Sequence, residues 1–152
     1  MKLSRRRALV MAGIASKCPV LVVEDDPSIS SLVASALRRR RLRLMTAANG
    51  AEALEHLRNQ DWLVLVLDLM MPVVTGWEVI AWLAEHPERK PKTVIVVSAT
   101  ERSHLQKLDP NVVNAVIFKP FDIMQLSAYV KASCVLQHDD RRRSRIVAAT
   151  EH

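Results

Sequence analysis

Residues 62–68 read WLVLVLD, and residues 69–72 continue the chain as LMMP. Six consecutive apolar positions closed by an aspartate are typical of a strand that is covered on both of its faces. Residues 20–23 and residues 93–97 form two further apolar runs of the same character. Because such strands occur mainly in parallel sheets, the sequence favours an α/β protein built around a parallel sheet.

Helical patterns lie between these strands and begin at recognisable capping residues. Asp26 precedes Pro27, a pairing that favours the start of a helix. Three further starts have a capping residue followed three positions later by Glu or Gln, at Asn49 and Glu52, Thr75 and Glu78, and Asp122 and Gln125. Residues 42–47 and 115–118 are weaker strands, and residues 101–108 a short helix. Strand and helix therefore alternate five times, which predicts a doubly wound parallel sheet with helices on both faces.

The composition is that of one ordinary globular domain. The chain has 152 residues, of which 49% are hydrophobic and 25% charged, so it is neither disordered nor of low complexity. No apolar run approaches the roughly 20 residues that a membrane-spanning helix needs. Cys18 and Cys134 match no metal or redox spacing and are predicted to be reduced thiols. We therefore expect a cytoplasmic protein rather than a membrane protein or a secreted disulfide scaffold.

The net charge of +6 comes from the two ends of the chain. Residues 19–137 contain acidic and basic side chains in equal number. Residues 1–16 imitate a signal peptide, but their apolar stretch is short and a strand follows almost at once. We predict a disordered basic arm over residues 1–17, one domain over residues 18–137 and a basic tail over residues 138–152. Basic clusters at residues 38–43 and 141–145 are expected to be solvated surface, so nucleic-acid binding is not expected as the main function.

Four of the predicted strands end in side chains that can take part in chemistry. These are Glu24, Asp25 and Asp26 after the first strand, Asp68 after the third, Ser98 after the fourth and Lys119 after the fifth. The carboxyl ends of parallel strands meet at one edge of the sheet, so these groups should share a crevice. Clustered carboxylates repel one another and require a counter-ion, for which Mg²⁺ is the natural choice with oxygen ligands. Together with an ammonium and a hydroxyl, such a site suits a phosphoryl group.

Four segments carry a family resemblance. They are VLVVEDDP at residues 20–27, LVLVLDLMMPVVTGWEV at residues 63–79, VIVVSAT at residues 94–100 and VIFKPF at residues 116–121. In this order and spacing they resemble the receiver domain of two-component response regulators, of the stand-alone, chemotaxis-regulator kind. The likeness covers residues 19–137. It implies a flavodoxin-like (βα)5 fold with the strand order 2-1-3-4-5.

The resemblance also implies a role for each residue at the strand ends. Asp68 would be the phosphoacceptor, taking a phosphoryl group from the phosphohistidine of a sensor kinase. Asp25 and Asp68 would bind Mg²⁺ directly, Glu24 would act through a water, and Met70 would contribute its backbone carbonyl. Ser98 and Lys119 would each bind a phosphoryl oxygen. The peptide bond between Lys119 and Pro120 is expected to be cis.

The sequence departs from the family pattern at the position three residues before Lys119. Receiver domains usually carry Tyr or Phe there, an aromatic residue that moves inward on phosphorylation, whereas this chain has Val116. We predict that Phe118 lies on the opposite face of the strand and cannot replace it. The phosphorylation chemistry is therefore predicted to be intact, and the way in which it is read out stays open.

Several functions remain open at this point. The leading interpretation is a signalling domain that is not an enzyme and that assists only its own phosphorylation and dephosphorylation. Its partners would be a sensor histidine kinase or phosphotransfer protein and a downstream effector, with a homodimer through the fourth helix, fifth strand and fifth helix also conceivable. The alternatives are a constitutive protein-binding domain without a working switch and a nucleic-acid-associated protein acting through its arginines. An aspartyl phosphatase is disfavoured because Met70 stands where those enzymes carry a second Asp.

Overall fold

The computed structural model describes the backbone of residues 18–150 and the side chains of residues 18–136. The predicted arm over residues 1–17 lies outside the described residues. The strands are β1 Pro19–Val23, β2 Arg43–Ala47, β3 Val64–Asp68, β4 Thr93–Ser98 and β5 Ala115–Phe118. The α-helices are α1 Pro27–Arg39, α2 Gly50–Asn59, α3 Gly76–Glu85, α4 Arg102–Leu105 and α5 Ile123–Thr150, and a 3₁₀ turn spans Pro87–Arg89.

The five strands form one parallel sheet in the order β2-β1-β3-β4-β5. The side chains of each central strand alternate between two hydrophobic layers, as the period of two in an extended chain requires. Leu65 and Leu67 of β3 face the layer beneath α2 and α3, while Val64 and Val66 face the layer beneath α1 and α5. The predicted α/β doubly wound fold and its strand order are therefore confirmed.

The capping residues begin the helices where the sequence indicated. Asp26 accepts hydrogen bonds from the backbone N–H groups of Ser28 and Ile29 at the start of α1. Thr75 and Glu78 form a reciprocal capping box at the start of α3. The Asn49 and Asp122 side chains accept from backbone N–H groups at the first turns of α2 and α5. The short helix α4 ends three residues earlier than predicted, at Leu105.

Cys18 and Cys134 form a disulfide across 116 residues of sequence, with their Cα atoms 5.7 Å apart. The prediction of reduced thiols was wrong. It rested on the spacing of the two residues along the chain, which carries no information about a pair that the fold brings together. Cys18 directly precedes β1, and Cys134 lies on the part of α5 that packs beside the beginning of that strand, so both side chains are buried in one layer.

The helix α5 continues to Thr150, well beyond the predicted domain boundary at residue 137. That boundary stays a prediction. Among the described residues, no helix combines the length and the apolar character needed to cross a membrane.

Charged side chains are distributed unevenly between the two edges of the sheet. We call the edge where the strands end and the helices begin the carboxyl edge, and the opposite one the amino edge. The carboxyl edge carries most of the acidic groups, namely Glu24, Asp25, Asp26, Glu52, Asp68, Glu78, Glu101 and Asp122. The amino edge carries most of the basic groups, namely Arg38, Arg39, Arg40, Arg41, Arg43, Arg58, Arg89, Lys90, Lys92 and Lys131. Residues 19–137 therefore carry no net charge, but their acidic and basic side chains are largely separated between the two edges of the sheet.

Candidate functional site

Asp68 lies at the carboxyl end of the central strand β3 and is only 4% exposed. One carboxylate oxygen, Oδ1, accepts a hydrogen bond of 3.2 Å from the backbone N–H of Met70. The other, Oδ2, accepts one of 3.3 Å from the ammonium of Lys119. Each oxygen of this buried carboxylate accepts a single hydrogen bond and keeps a further lone pair, and this arrangement suits a nucleophile or a metal ligand.

Glu24 and Asp25 complete the acidic part of the crevice. Glu24 is buried and receives a 2.8 Å hydrogen bond from Lys119 Nζ on Oε2. Asp25 is exposed, and its carboxylate oxygen lies with one oxygen each of Glu24 and Asp68 within 4.8 Å of one another. Three hard oxygen donors at this spacing fit Mg²⁺, and the exposed Asp25 leaves an entrance from solvent. Asp26 is engaged at the start of α1 instead.

The electrostatics of the crevice favour an additional cation. Burial raises the pKa of Asp68, although the N–H of Met70 and the charge of Lys119 oppose the change. Burial likewise raises the pKa of Glu24. The hydrogen bond from Lys119 opposes this rise, and the charge of Asp68 adds to it. Burial by itself would lower the pKa of Lys119, but its hydrogen bond to Glu24 and the charge of Asp68 outweigh that effect and raise it. One ammonium therefore does not balance the carboxylates around it.

Ser98 ends β4 beside Asp68 and is fully buried. Its Oγ lies 2.8 Å from the hydroxyl of Thr100, to which it donates, and accepts a hydrogen bond of 2.9 Å from the backbone N–H of Thr100. The hydroxyl is thus turned toward the loop after β4. The part that Thr100 plays here could not be predicted from the sequence, because only the folded loop brings it back onto the strand end.

The strand β5 places its aromatic residue differently from the prediction. Val116 packs in the hydrophobic layer beneath α2 and α3, and Ile117 packs in the opposite layer. Phe118 therefore lies on the same face as Val116, because residues two apart on a strand share a face, and the predicted opposite placement was wrong. Phe118 is 36% exposed, with the guanidinium of Arg102 lying 4.8 Å from the centre of its ring.

The loop after β3 packs closely against the end of that strand. A Cβ atom added at Gly76 would overlap the carbonyl oxygen of Asp68 and would lie 2.7 Å from Leu69 Cα. The backbone N–H of Gly76 donates to the carbonyl of Leu69, which closes the loop. On the outer side a cavity of about 640 Å³ opens between this loop and the start of α4, lined in part by Met70, Trp77 and Thr100. Gly76 was not singled out from the sequence, where the one signal for it is its position directly after the capping residue Thr75.

The Lys119–Pro120 peptide bond is cis, as predicted. Of the predicted site residues, the structure brings the side chains of Glu24, Asp25, Asp68 and Lys119 together in one crevice. Ser98 adjoins them, with its hydroxyl turned to the neighbouring loop. The Met70 side chain points outward and is 61% exposed, so only its backbone adjoins Asp68.

The fold and the crevice place the chain among the doubly wound α/β proteins whose chemistry lies at the carboxyl edge of the sheet. Within that class, the model of the response regulator receiver domain family matches residues 20–131. The chain therefore belongs to the response regulator receiver domain family, whose members are signalling domains of two-component systems.

Individual relatives agree with this assignment. The chain is 30% identical over 120 residues to the transcriptional regulatory protein TcrA of Mycobacterium tuberculosis, an alignment covering 79% of this chain and 47% of TcrA. The chain thus spans about half the length of the curated relatives it matches. The Francisella response regulator 1452 receiver domain superposes with a TM-score of 0.72 at 24% identity, covering 79% of this chain and 98% of that one. Response regulator TrrA of Thermotoga maritima, solved in complex with Mg²⁺-BeF, superposes with a TM-score of 0.66 at 26% identity. The alignment covers 76% of this chain and 98% of TrrA.

Proposed function

We propose that this protein is the phosphoacceptor receiver of a two-component phosphorelay, with Asp68 as the acceptor. One observation carries the proposal: a buried carboxylate at the end of the central strand lies 3.3 Å from Lys119 Nζ, beside two further carboxylates that fit a divalent cation. The solved structure of TrrA in complex with Mg²⁺-BeF, a relative with the same fold, lends support.

The proposed reaction is a phosphoryl transfer between two side chains. A carboxylate oxygen of Asp68 attacks the phosphorus of a phosphohistidine on a sensor histidine kinase. A P–O bond forms, the P–N bond breaks, and the imidazole nitrogen leaves with the bonding electron pair and takes up a proton. Lys119 stabilises the charge that develops on the phosphoryl oxygens. Asp25, Asp68 and the Met70 carbonyl would hold Mg²⁺ directly and Glu24 through a water, and the ion would supply further positive charge to the same oxygens.

The proposed signal leaves the crevice through the loop that follows β4. In the structure the Ser98 hydroxyl is held by Thr100. To donate to a phosphoryl oxygen it would give up its hydrogen bond to the Thr100 hydroxyl, and the loop would lose one of its two links to the strand end. Because Val116 replaces the usual aromatic residue, this loop is the part of the domain best placed to pass the change to an effector or to the next protein of a phosphorelay.

Labelling with acetyl phosphate and Mg²⁺, followed by a phosphate-affinity gel, tests the proposal. We expect a Mg²⁺-dependent shifted band in the native protein and none in Asp68→Asn. The matched control is Asp61→Asn, which makes the same chemical change at an exposed position of the amino edge and should be labelled like the native protein. If acetyl phosphate gives no band, a histidine kinase phosphodonor is used instead. A label that persists in Asp68→Asn, or native protein that neither donor labels, would overturn the proposal.

A further inference from the structure

A dense group of cations lies at the amino edge, far from the acidic crevice. We call Arg38, Arg39, Arg40, Arg41, Arg43 and Lys131 the arginine cluster. The first five occur where α1 ends and β2 begins, and Lys131 reaches them from α5 by donating a 3.0 Å hydrogen bond to the carbonyl of Arg40. Arg38, Arg39, Arg41 and Arg43 are exposed.

The backbone at this corner is one that favours glycine. Arg41 has a φ of 60°, and its N–H donates to the carbonyl of Arg38 as the helix ends. A residue in this left-handed conformation after a helix is usually glycine, and a side chain with a Cβ costs about 1 kcal/mol there. An arginine at this position adds a cation to the cluster at a conformational cost. Local stability therefore does not explain why an arginine occupies position 41.

The charge of the cluster is not neutralised by the described residues. Arg40 donates to the hydroxyl of Ser127 at 2.8 Å and to the carbonyl of Met124 at 3.4 Å, and both of these acceptors are neutral. The ion pairs found among the described side chains involve Arg89 and Lys119, and neither belongs to the cluster. Burial lowers the pKa of Lys131, and the charges of Arg40 and Arg41 add to that effect. Six cations gathered in this way create a strong local positive potential.

We propose that the arginine cluster binds the phosphate backbone of duplex nucleic acid without reading its sequence. Guanidinium groups match phosphate oxygens with paired hydrogen bonds, and duplex nucleic acid presents phosphates in dense rows. The cluster consists of cations alone, which suits the charged backbone of a duplex better than the bases of a single strand. It lies at the amino edge, so a bound duplex leaves the proposed phosphorylation site accessible.

Fluorescence anisotropy with a labelled 20-base-pair duplex of arbitrary sequence tests this proposal on the full chain. If all six cations neutralise phosphates, raising the salt concentration from 50 to 200 mM weakens binding by about 10³-fold. We expect Arg38→Gln, Arg39→Gln and Arg41→Gln combined to weaken binding at least tenfold at 50 mM salt. The slope of log affinity against log salt concentration should fall by the amount that about three phosphate contacts contribute. Arg40 is left in place because it bonds α5.

The matched control removes three exposed cations elsewhere, by Arg58→Gln, Lys92→Gln and Lys107→Gln combined. Both variants lose the same charge, and circular dichroism checks that both are folded. We expect the control to bind within about threefold of the native protein. An equal loss in both variants would overturn the proposal, since binding would then follow net charge or another part of the chain. Absence of duplex binding at 50 mM salt, or tighter binding to phosphatidylserine vesicles than to the duplex, would overturn it as well.

Discussion

Asp68 shows how a single residue can be held in a state that is unfavourable for stability and useful for chemistry. It is 4% exposed, its carboxylate shares one ammonium with Glu24, and burial raises the pKa of both acids. A group whose ionised form is disfavoured by its surroundings is ready to bind a cation or to attack an electrophile. The cost of this arrangement should appear in the stability of the protein without metal.

We therefore predict that Asp68→Asn stabilises the metal-free protein at neutral pH. Because the folded-state pKa of Asp68 lies above its ordinary value of 3.8, the folded protein binds this proton more tightly than the unfolded chain. Its contribution to stability is thus fully present below that value and is lost as the pH rises through the folded-state pKa. Asn carries no charge at either pH. The melting temperature of the variant should exceed that of the native protein by about 2–6 °C at pH 7.5, with a smaller difference at pH 4.5.

Thermal melts in EDTA from pH 4.5 to 7.5 measure this difference. Glu55→Gln, an exposed change on the outer side of α2, is the control and should leave the melting temperature within about 1 °C of the native value. If Asp68→Asn is the less stable protein at pH 7.5, then the ion pair with Lys119 outweighs the cost of burial.

At the scale of secondary structure elements, the junction between β3 and α3 is packed too tightly for any side chain at Gly76. We predict that Gly76→Ala destabilises the protein by about 1–3 kcal/mol, because the new methyl group overlaps the backbone of Asp68 and Leu69. It should also slow labelling by acetyl phosphate, since the Asp68 backbone has to move. Chemical denaturation and the labelling rate measure the two effects.

The control for this prediction is Ala81→Gly, at an exposed position of the same helix. It should cost about 1 kcal/mol of unfolding free energy through helix propensity alone and leave the labelling rate unchanged. Native-like stability of Gly76→Ala would show that the loop after β3 yields easily. Slower labelling in both variants would show that helix stability, and not the close contact, controls the reaction.

The elements were largely predictable from the sequence because local signals determine them. The run WLVLVLD is buried on both faces of β3, and the capping residues Asn49 and Thr75 lie where α2 and α3 begin. The crevice was predictable as well, because Glu24, Asp68 and Lys119 directly follow or end strands whose carboxyl ends meet at one edge of the sheet. What was missed depends on tertiary contacts: the turn of the Ser98 hydroxyl toward Thr100 and the pairing of Cys18 with Cys134 across the fold.

At the scale of the whole molecule, the disulfide ties the beginning of the sheet to its last helix. Since it closes a loop spanning 116 residues, we predict that Cys134→Ala lowers the free energy of unfolding by about 2–5 kcal/mol under non-reducing conditions. Reductant should bring the native protein close to the variant and leave the variant itself unchanged. Urea denaturation with and without dithiothreitol measures the effect. A native curve that does not respond to reductant, with the protein shown to be oxidised beforehand, would contradict this prediction.

The separation of acidic and basic side chains between the two edges gives the domain a large dipole moment although residues 19–137 carry no net charge. A molecule of this kind experiences a torque in the field of a charged partner before any contact is made. It approaches a cationic surface with its carboxyl edge forward and an anionic one with its amino edge forward. A phosphoryl group on Asp68 would add negative charge at the carboxyl edge and so increase the dipole moment. Phosphorylation would therefore alter the orientation of encounter complexes even without a change of shape.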